Sequence, residues 1–309
     1  MFSIVFPGQG SQKIGMVKEF YDKYDLVKRL FKDADAILNV PITKIILDGP
    51  ENILNSTENT QPAIFLASYC IFEIIKREFG YDFKKLKYFA GHSLGEYSAL
   101  ACASSISFED TLKILQRRGK FMQEAVPSGE GAMLAVLGMA SKELDKFLET
   151  NNKKYECFIA NDNSNLQVVV SGLKKDINSL SDDLNNKKIK NIKLNVSAPF
   201  HCKYMKSASE KMTSYINDLN MNELEKPIIS NVTANETSSP TEIKSLLISQ
   251  IEKRVRWLES VEYMINNGVK NFVEIGPGKV LSGLIKRTNK NVNVNSINSE
   301  GDIKLLIND

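Results

Sequence analysis

The sequence predicts an α/β protein in which helices cover both faces of a large, mostly parallel sheet and a small ferredoxin-like domain is inserted. Three observations carry this. Short apolar runs alternate with helix-period segments through residues 1–126 and 198–309, the expected large domain. Residues 127–197, the expected small domain, instead read β-α-β-β-α-β, the ferredoxin-like order. Between a buried run and a small-residue helix stands Gly91-His92-Ser93-Leu94-Gly95, a G-x-S-x-G in the strand–turn–helix context that gives the motif meaning.

Phe2 to Phe6 is apolar apart from Ser3 and reads as a buried strand, stopped by Pro7. Gly8-Gln9-Gly10-Ser11-Gln12 follows as a polar loop. It contains neither G-x-x-x-x-G-K-[ST] nor G-x-G-x-x-G, so backbone donors near the serine are a better reading than a phosphate cradle. Val17 to Leu38 is expected as one helix, with Phe20, Tyr24, Val27, Phe31, Ala34 and Leu38 near helical spacing. Asp48-Gly49-Pro50 breaks the chain, and Thr60-Gln61-Pro62 is expected to open a helix from Ala63 to Phe79. Tyr88-Phe89-Ala90 is a strand that feeds the serine turn.

Glycine at 91 and 95 lets that turn close and lets the next helix pack on the strand. The turn aims the Leu94 N–H at any oxyanion forming near Ser93, where the helix N-terminus adds favourable partial charge. The plainer alternative is a glycine-rich turn with a serine cap. Phe108 to about Gln123 is the next helix, with Phe108, Leu112, Leu115 and Met122 on its apolar face. Arg118 falls at the edge of that face, half-sunk, while Arg117 falls opposite and is expected in solvent. A sunken guanidinium needs an anion, and on helix geometry alone a structural salt bridge is the simpler partner.

In the small domain, strands are expected at Met133–Leu137, Cys157–Ala160, Leu166–Val170 and Ile189–Val196. Helices are expected at 141–148, capped by Ser141, and at 176–184. Beyond Ser197-Ala198-Pro199-Phe200-His201, a helix (204–219), a strand (227–232), a helix (242–251) and a segment opened by Val255-Arg256-Trp257 follow. A strand ending before Gly276-Pro277-Gly278 leads to a helix over 280–286, and the Asn- and Lys-rich tail reads as solvated.

Ser93 needs a base, and the chain has two histidines. His92 adjoins Ser93, and side chains adjacent on a strained turn point apart, which leaves His201. Cys202 adjoins His201 and is a poor rival nucleophile. A third group should orient the imidazole; an acid or a backbone carbonyl would serve. The four cysteines have no C-x-x-C spacing, which fits a reducing compartment and neither a disulfide framework nor a zinc site. A net charge of +3 is too small to argue for nucleic acid. The N-terminus lacks the pattern of a secretory signal and no apolar run is long enough to span a bilayer, so a cytoplasmic protein is expected.

Six segments together resemble the malonyl-CoA:acyl carrier protein transacylases, the malonyl-loading acyltransferases of fatty acid synthesis. They are Phe6 to Gln12, Gly91 to Tyr97, Arg118 to Gln123, Ser197 to His201, Val255-Arg256-Trp257 and Glu274 to Leu281. The resemblance spans nearly the whole chain and implies an α/β-hydrolase-like large domain with a ferredoxin-like insert. It implies that Ser93 is acylated, that His201 is its base, and that Arg118 pairs with the malonyl carboxylate. It implies an oxyanion hole from the Gln9 and Leu94 backbone N–H groups, and a Gln250 backbone carbonyl that orients the histidine. Asn161 would line the cleft from the small domain. Malonyl-CoA and acyl carrier protein are the implied partners of a monomer, with no cofactor and no metal. Acyl carrier proteins are acidic, so Lys187, Lys188, Lys190, Lys286, Arg287 and Lys290 are candidate docking residues. The alternative is a serine esterase or thioesterase, which would share the serine turn and the histidine but would not need Arg118.

Overall fold

The computed structural model describes residues 1–196 and 198–308; Ser197, the last residue of the expected small domain and the first of the Ser197–His201 motif, lies outside the described residues. The strands are β1 (Phe2–Phe6), β2 (Leu86–Gly91), β3 (Gly131–Leu137), β4 (Cys157–Ser164), β5 (Gln167–Leu173), β6 (Asn191–Lys193), β7 (Ile228–Ile229), β8 (Glu236–Thr237), β9 (Asn271–Ile275) and β10 (Asn293–Ile297). Six of them form a mixed, mostly parallel sheet in the order β10-β9-β1-β2-β7-β8, with only the β7–β8 edge pairing antiparallel.

The side-chain alternation of β1 explains why helices cover both faces of this sheet. Ile4 and Phe6 point into a core with Phe65, Leu112 and Leu115, from the helices Thr57–Arg77 and Phe108–Glu124. Val5 points the other way, into a core with Trp257, Val261 and Leu284, from the helices Trp257–Asn266 and Val280–Thr288.

The second sheet is antiparallel, in the order β4-β5-β3-β6. One face carries Leu134, Val136, Val168 and Val170 and is covered by the helices Ser141–Thr150 and Lys174–Asn186. The other face carries Met133, Ala135 and Val169 and roofs a cleft above the large sheet. A bulge in β4 ties the two sheets together: Val255 N donates to Ala160 O at 2.8 Å and Asp162 N to Val255 O at 2.9 Å.

Several expected elements differ. The helix expected over 17–38 is two helices, Lys18–Lys23 and Asp25–Leu38, broken at Tyr24, which is extended and donates its hydroxyl to Glu300 Oε2 at 3.0 Å. The helix expected from Ala63 starts at Thr57 and carries Pro62 in its second turn; Thr60 Oγ1 and Asn59 Nδ2 anchor the preceding carbonyls at Leu54 and Ile53. Ser141 does not cap its helix; Ala140 holds that position, without a side-chain cap. The strand expected over 227–232 shortens to β7 and gains the antiparallel partner β8. The tail expected in solvent forms β10 and the helix Glu300–Asn308, and it buries Ile297, Ile303 and Leu306. Its three apolar anchors are spaced too irregularly among asparagines to show a period before the partner strand is known.

Candidate active site

Sterics hold the serine turn. A Cβ on Gly91 would sit 1.9 Å from the Gly95 carbonyl, and one on Gly95 would sit 2.2 Å from the Phe6 carbonyl oxygen. Only glycine lets β2, the turn and the helix Gly95–Cys102 approach β1 this closely. Ser93 is thereby held at φ 55°, a left-handed conformation that costs a non-glycine residue free energy. Two side chains hold it there: Ser93 N donates to Asn231 Oδ1 at 2.7 Å, and Ser93 O accepts from Gln250 Nε2 at 3.0 Å.

Ser93 Oγ lies 2.8 Å from His201 Nε2, and His201 Nδ1 lies 2.8 Å from the Gln250 backbone carbonyl. A carbonyl can only accept, so Nδ1 carries the proton and Nε2 turns its lone pair toward the serine hydroxyl. His201 is 4% exposed, and burial, with the Arg118 charge beside it, pushes its pKa down to about 3. The imidazole is therefore neutral in the resting site. His92 faces away from Ser93, its Nε2 being 2.8 Å from Asn163 Oδ1. Cys202 is spent on Pro199 O, and burial pushes its thiol up to about 12.

Arg118 is 1% exposed, deeper than the half-sunk position that helix phase alone implies. Gly119 accounts for the difference. A Cβ there would lie 2.4 Å from Thr57 O, so helix 108–124 packs hard against helix 57–77 and takes its neighbour down with it. The guanidinium donates to Gln61 Oε1 (2.7 Å), Gln250 Oε1 (2.9 Å) and Ser93 Oγ (3.1 Å), all neutral oxygens, while among the described residues its Nε has no partner. Among the described residues no carboxylate completes an ion pair with it, so the structural salt bridge is not formed. Arg117 is exposed, as its helix phase implies, with its guanidinium carbon 4.4 Å from the centre of the Tyr215 ring.

These groups open onto a cleft of about 350 Å³ that Gln9, Leu94, Asn161 and Met122 also line. Among the described residues neither the Gln9 nor the Leu94 backbone N–H donates to a protein acceptor, so both are free to serve a ligand. Asn161 reaches the cleft from the β4 bulge. Among the described residues no cluster of three or more His, Cys, Asp or Glu could hold a metal ion.

Sequence reasoning missed Asn231, Gln61, Asn163 and Glu96. Asn231 follows β7, donates through Nδ2 to Gly91 O at 2.7 Å, and so braces the serine turn from both sides. No spacing signal marks it, because it meets the turn only through sheet pairing. Glu96 carried a signal, an acid directly after G-x-S-x-G in a helix otherwise free of charge.

Chemically, the arrangement is an oriented serine–histidine pair beside two free amides and a buried cation. It suits acyl transfer through a covalent serine ester, for an acyl group that carries an anion.

Comparison with known proteins agrees with this chemistry. The acyl transferase domain family matches residues 3–304. The malonyl CoA-acyl carrier protein transacylase of Bacillus subtilis (strain 168) is 41% identical, over 99% of this chain and 96% of its own. The protein of the same name from Staphylococcus aureus (strain MRSA252) is 40% identical, over 98% and 97%. Among solved structures, the Clostridium perfringens malonyl CoA-acyl carrier protein transacylase superposes with a TM-score of 0.92 at 37% identity, covering 99% of this chain and 96% of that one. A malonyl-transacylase in complex with its type II PKS acyl-carrier protein superposes with a TM-score of 0.95 at 34% identity, covering 99% of both chains.

Proposed function

The chain belongs to the acyl transferase family, and on that premise we propose that it moves a malonyl group from malonyl-CoA to the phosphopantetheine thiol of acyl carrier protein, in fatty acid synthesis. The observation that carries the malonyl assignment is Arg118, a buried guanidinium with no counter-ion in contact among the described residues, 3.1 Å from the serine hydroxyl.

Ser93 Oγ attacks the thioester carbonyl of malonyl-CoA while His201 Nε2 takes its proton. The Gln9 and Leu94 N–H groups stabilise the oxyanion, and the Gln250 carbonyl stabilises the imidazolium as it forms. Coenzyme A leaves with the proton returned by His201, and malonyl-serine remains. The carrier-protein thiol then attacks this ester by the same steps in reverse. The malonyl carboxylate takes a bidentate place on Arg118, and this fixes the acyl group relative to Ser93. It also masks the positive charge that helps to depress His201, so the base strengthens as the correct substrate binds. Asn161 borders the acyl group from the roof. No cofactor enters this scheme.

We read residues 127–197 as a ferredoxin-like insert in an α/β-hydrolase-like domain formed by 1–126 and 198–309. The βαββαβ order and the β4-β5-β3-β6 arrangement support the first part. A cytoplasmic monomer is the simplest setting for the reaction; among the described residues no helix is long and apolar enough to cross a membrane.

A serine esterase would share the serine and the base but would pass the acyl group to water. Intact-mass measurement separates the two. Malonyl-CoA should add one malonyl group to the wild type and none to Ser93→Ala, and acyl carrier protein should remove it far faster than water does. A Ser93→Ala adduct in full yield, or water and carrier protein discharging the wild type equally fast, would overturn the proposal.

A further inference from the structure

Glu96 has no task in the reaction above, yet among the described residues it is the only carboxylate in the hydrogen-bond network around Ser93. It is 1% exposed, and its Oε2 accepts from Asn231 N at 3.0 Å and from Gln250 Nε2 at 2.8 Å. The same Gln250 side chain accepts from Arg118 Nη2 through Oε1 at 2.9 Å. One amide thus stands between a buried acid and a buried cation, its N–H end on the acid and its carbonyl end on the cation. That orientation favours a negative Glu96 and a positive Arg118 at the same time.

The other groups facing Glu96 are neutral. Gln250 and Asn231 face it from the helix Pro240–Gln250 and from the end of β7. On its own helix, burial pushes the Tyr97 hydroxyl up to about 12. His201, beyond Ser93, is neutral for the reason given above. From helix 57–77, the buried Glu73 acts on Cys102, at the far end of the Glu96 helix. Among the described residues Arg118, from helix 108–124, is the one charge acting on Glu96.

We propose that Glu96 is the resident counter-ion of Arg118, and that it takes up a proton from solvent when a carboxylate-bearing acyl group is loaded on Ser93. The inference rests on the malonyl-transfer reading. Loading brings a second carboxylate to one guanidinium in a desolvated site, and two like charges there cannot both persist. The newcomer contacts Arg118 directly, whereas Glu96 reaches it only through an amide. Burial has already raised Glu96 to about 7, so it is the acid that yields. Its carboxylate gains H⁺ and becomes the neutral acid; no bond to the substrate forms or breaks. Glu96 acts through Gln250 and touches no reacting atom, so it is a positioning residue.

The test mixes the full chain with excess malonyl-CoA in weak buffer containing a pH indicator, while intact mass counts malonyl-enzyme in the same sample. Wild type should take up as much as about one proton per adduct near pH 8, and progressively less toward about pH 6, where Glu96 is already protonated in the free enzyme. Glu96→Gln should form adduct without this uptake. If that variant does not fold, wild type labelled with ¹³C at the glutamate carboxyls keeps the question answerable. One resonance titrating far above the ordinary glutamate range, about 4.3, should pass to its protonated position on loading. Adduct forming at pH 8 without uptake, uptake undiminished in Glu96→Gln, or no such resonance would overturn the inference and leave malonyl transfer standing. Absence of any adduct would overturn malonyl transfer and this inference with it.

Discussion

Two adjacent arginines, one in solvent and one fully buried, give a sharp residue-scale comparison. Arg118 meets Ser93 and two glutamines, and Arg117 stacks on Tyr215 at the surface. Truncating one partner of a desolvated charge pair costs about 2–5 kcal/mol. Arg118→Ala should therefore lose malonyl transfer by one to several orders of magnitude in kcat/KM. Acetyl transfer has no carboxylate to lose, and it gains from the stronger His201 base, so it should be kept or raised. Arg117→Ala should leave both rates nearly unchanged. Measuring kcat/KM for malonyl-CoA and acetyl-CoA in the two variants checks this; a selective malonyl defect in Arg117→Ala alone would reverse the assignment.

At the scale of elements, the site depends on how closely backbones approach, and glycines set that distance. Gly95 lets the helix after Ser93 rest on the carbonyl end of β1. Backbone cannot move aside as a flexible side chain can, so Gly95→Ala should cost at least about 3 kcal/mol, the upper range for overpacking. Gly283 is the counter-example: it lies within the helix Val280–Thr288 with nothing within 4 Å of where its Cβ would be. Gly283→Ala should instead stabilise by about 0.5–1 kcal/mol, through helix propensity alone. Denaturant unfolding of both variants tests the pair, and equal effects at the two glycines would refute the steric account of the turn.

For the whole molecule, the question is how an acidic carrier protein reaches a half-buried serine in the cleft. Lys187, Lys188 and Lys190 are exposed on the smaller sheet's side, and Lys286, Arg287 and Lys290 on the larger one's. Arg287 Nη1 donates to Gln167 Oε1 at 2.6 Å, which places it against the roof of the cleft, next to the helix that carries the cleft residues Val280, Leu281 and Leu284. Exposed charges act over roughly a Debye length, about 10 Å at 0.1 M salt, so they set encounter rate more than bound-state geometry. Turnover with carrier protein should fall as ionic strength rises, while single-turnover acylation by malonyl-CoA at saturation should change much less. Carrier-protein turnover that stays flat from low to high salt would remove electrostatic docking.

Local chemistry alone determined the serine turn, the alternation of strands and helices up to the C-terminal segment though not all their bounds, and the choice of His201 over His92. Glycine at 91, proline at 7 and adjacency at 92–93 act within a few residues, and their consequences can be read along the chain. Tertiary structure decided what depends on distant partners. Arg118 became fully buried because Gly119 lets helix 108–124 close on Thr57, 62 positions away in the chain. Asn231 met the Ser93 amide only because β7 pairs beside β2. The polar C-terminal segment became a strand only because β9 offered it an edge. Glu96 acquired its place opposite Arg118 through Gln250, and no single segment encodes that link: it arises where three helices converge on one buried amide.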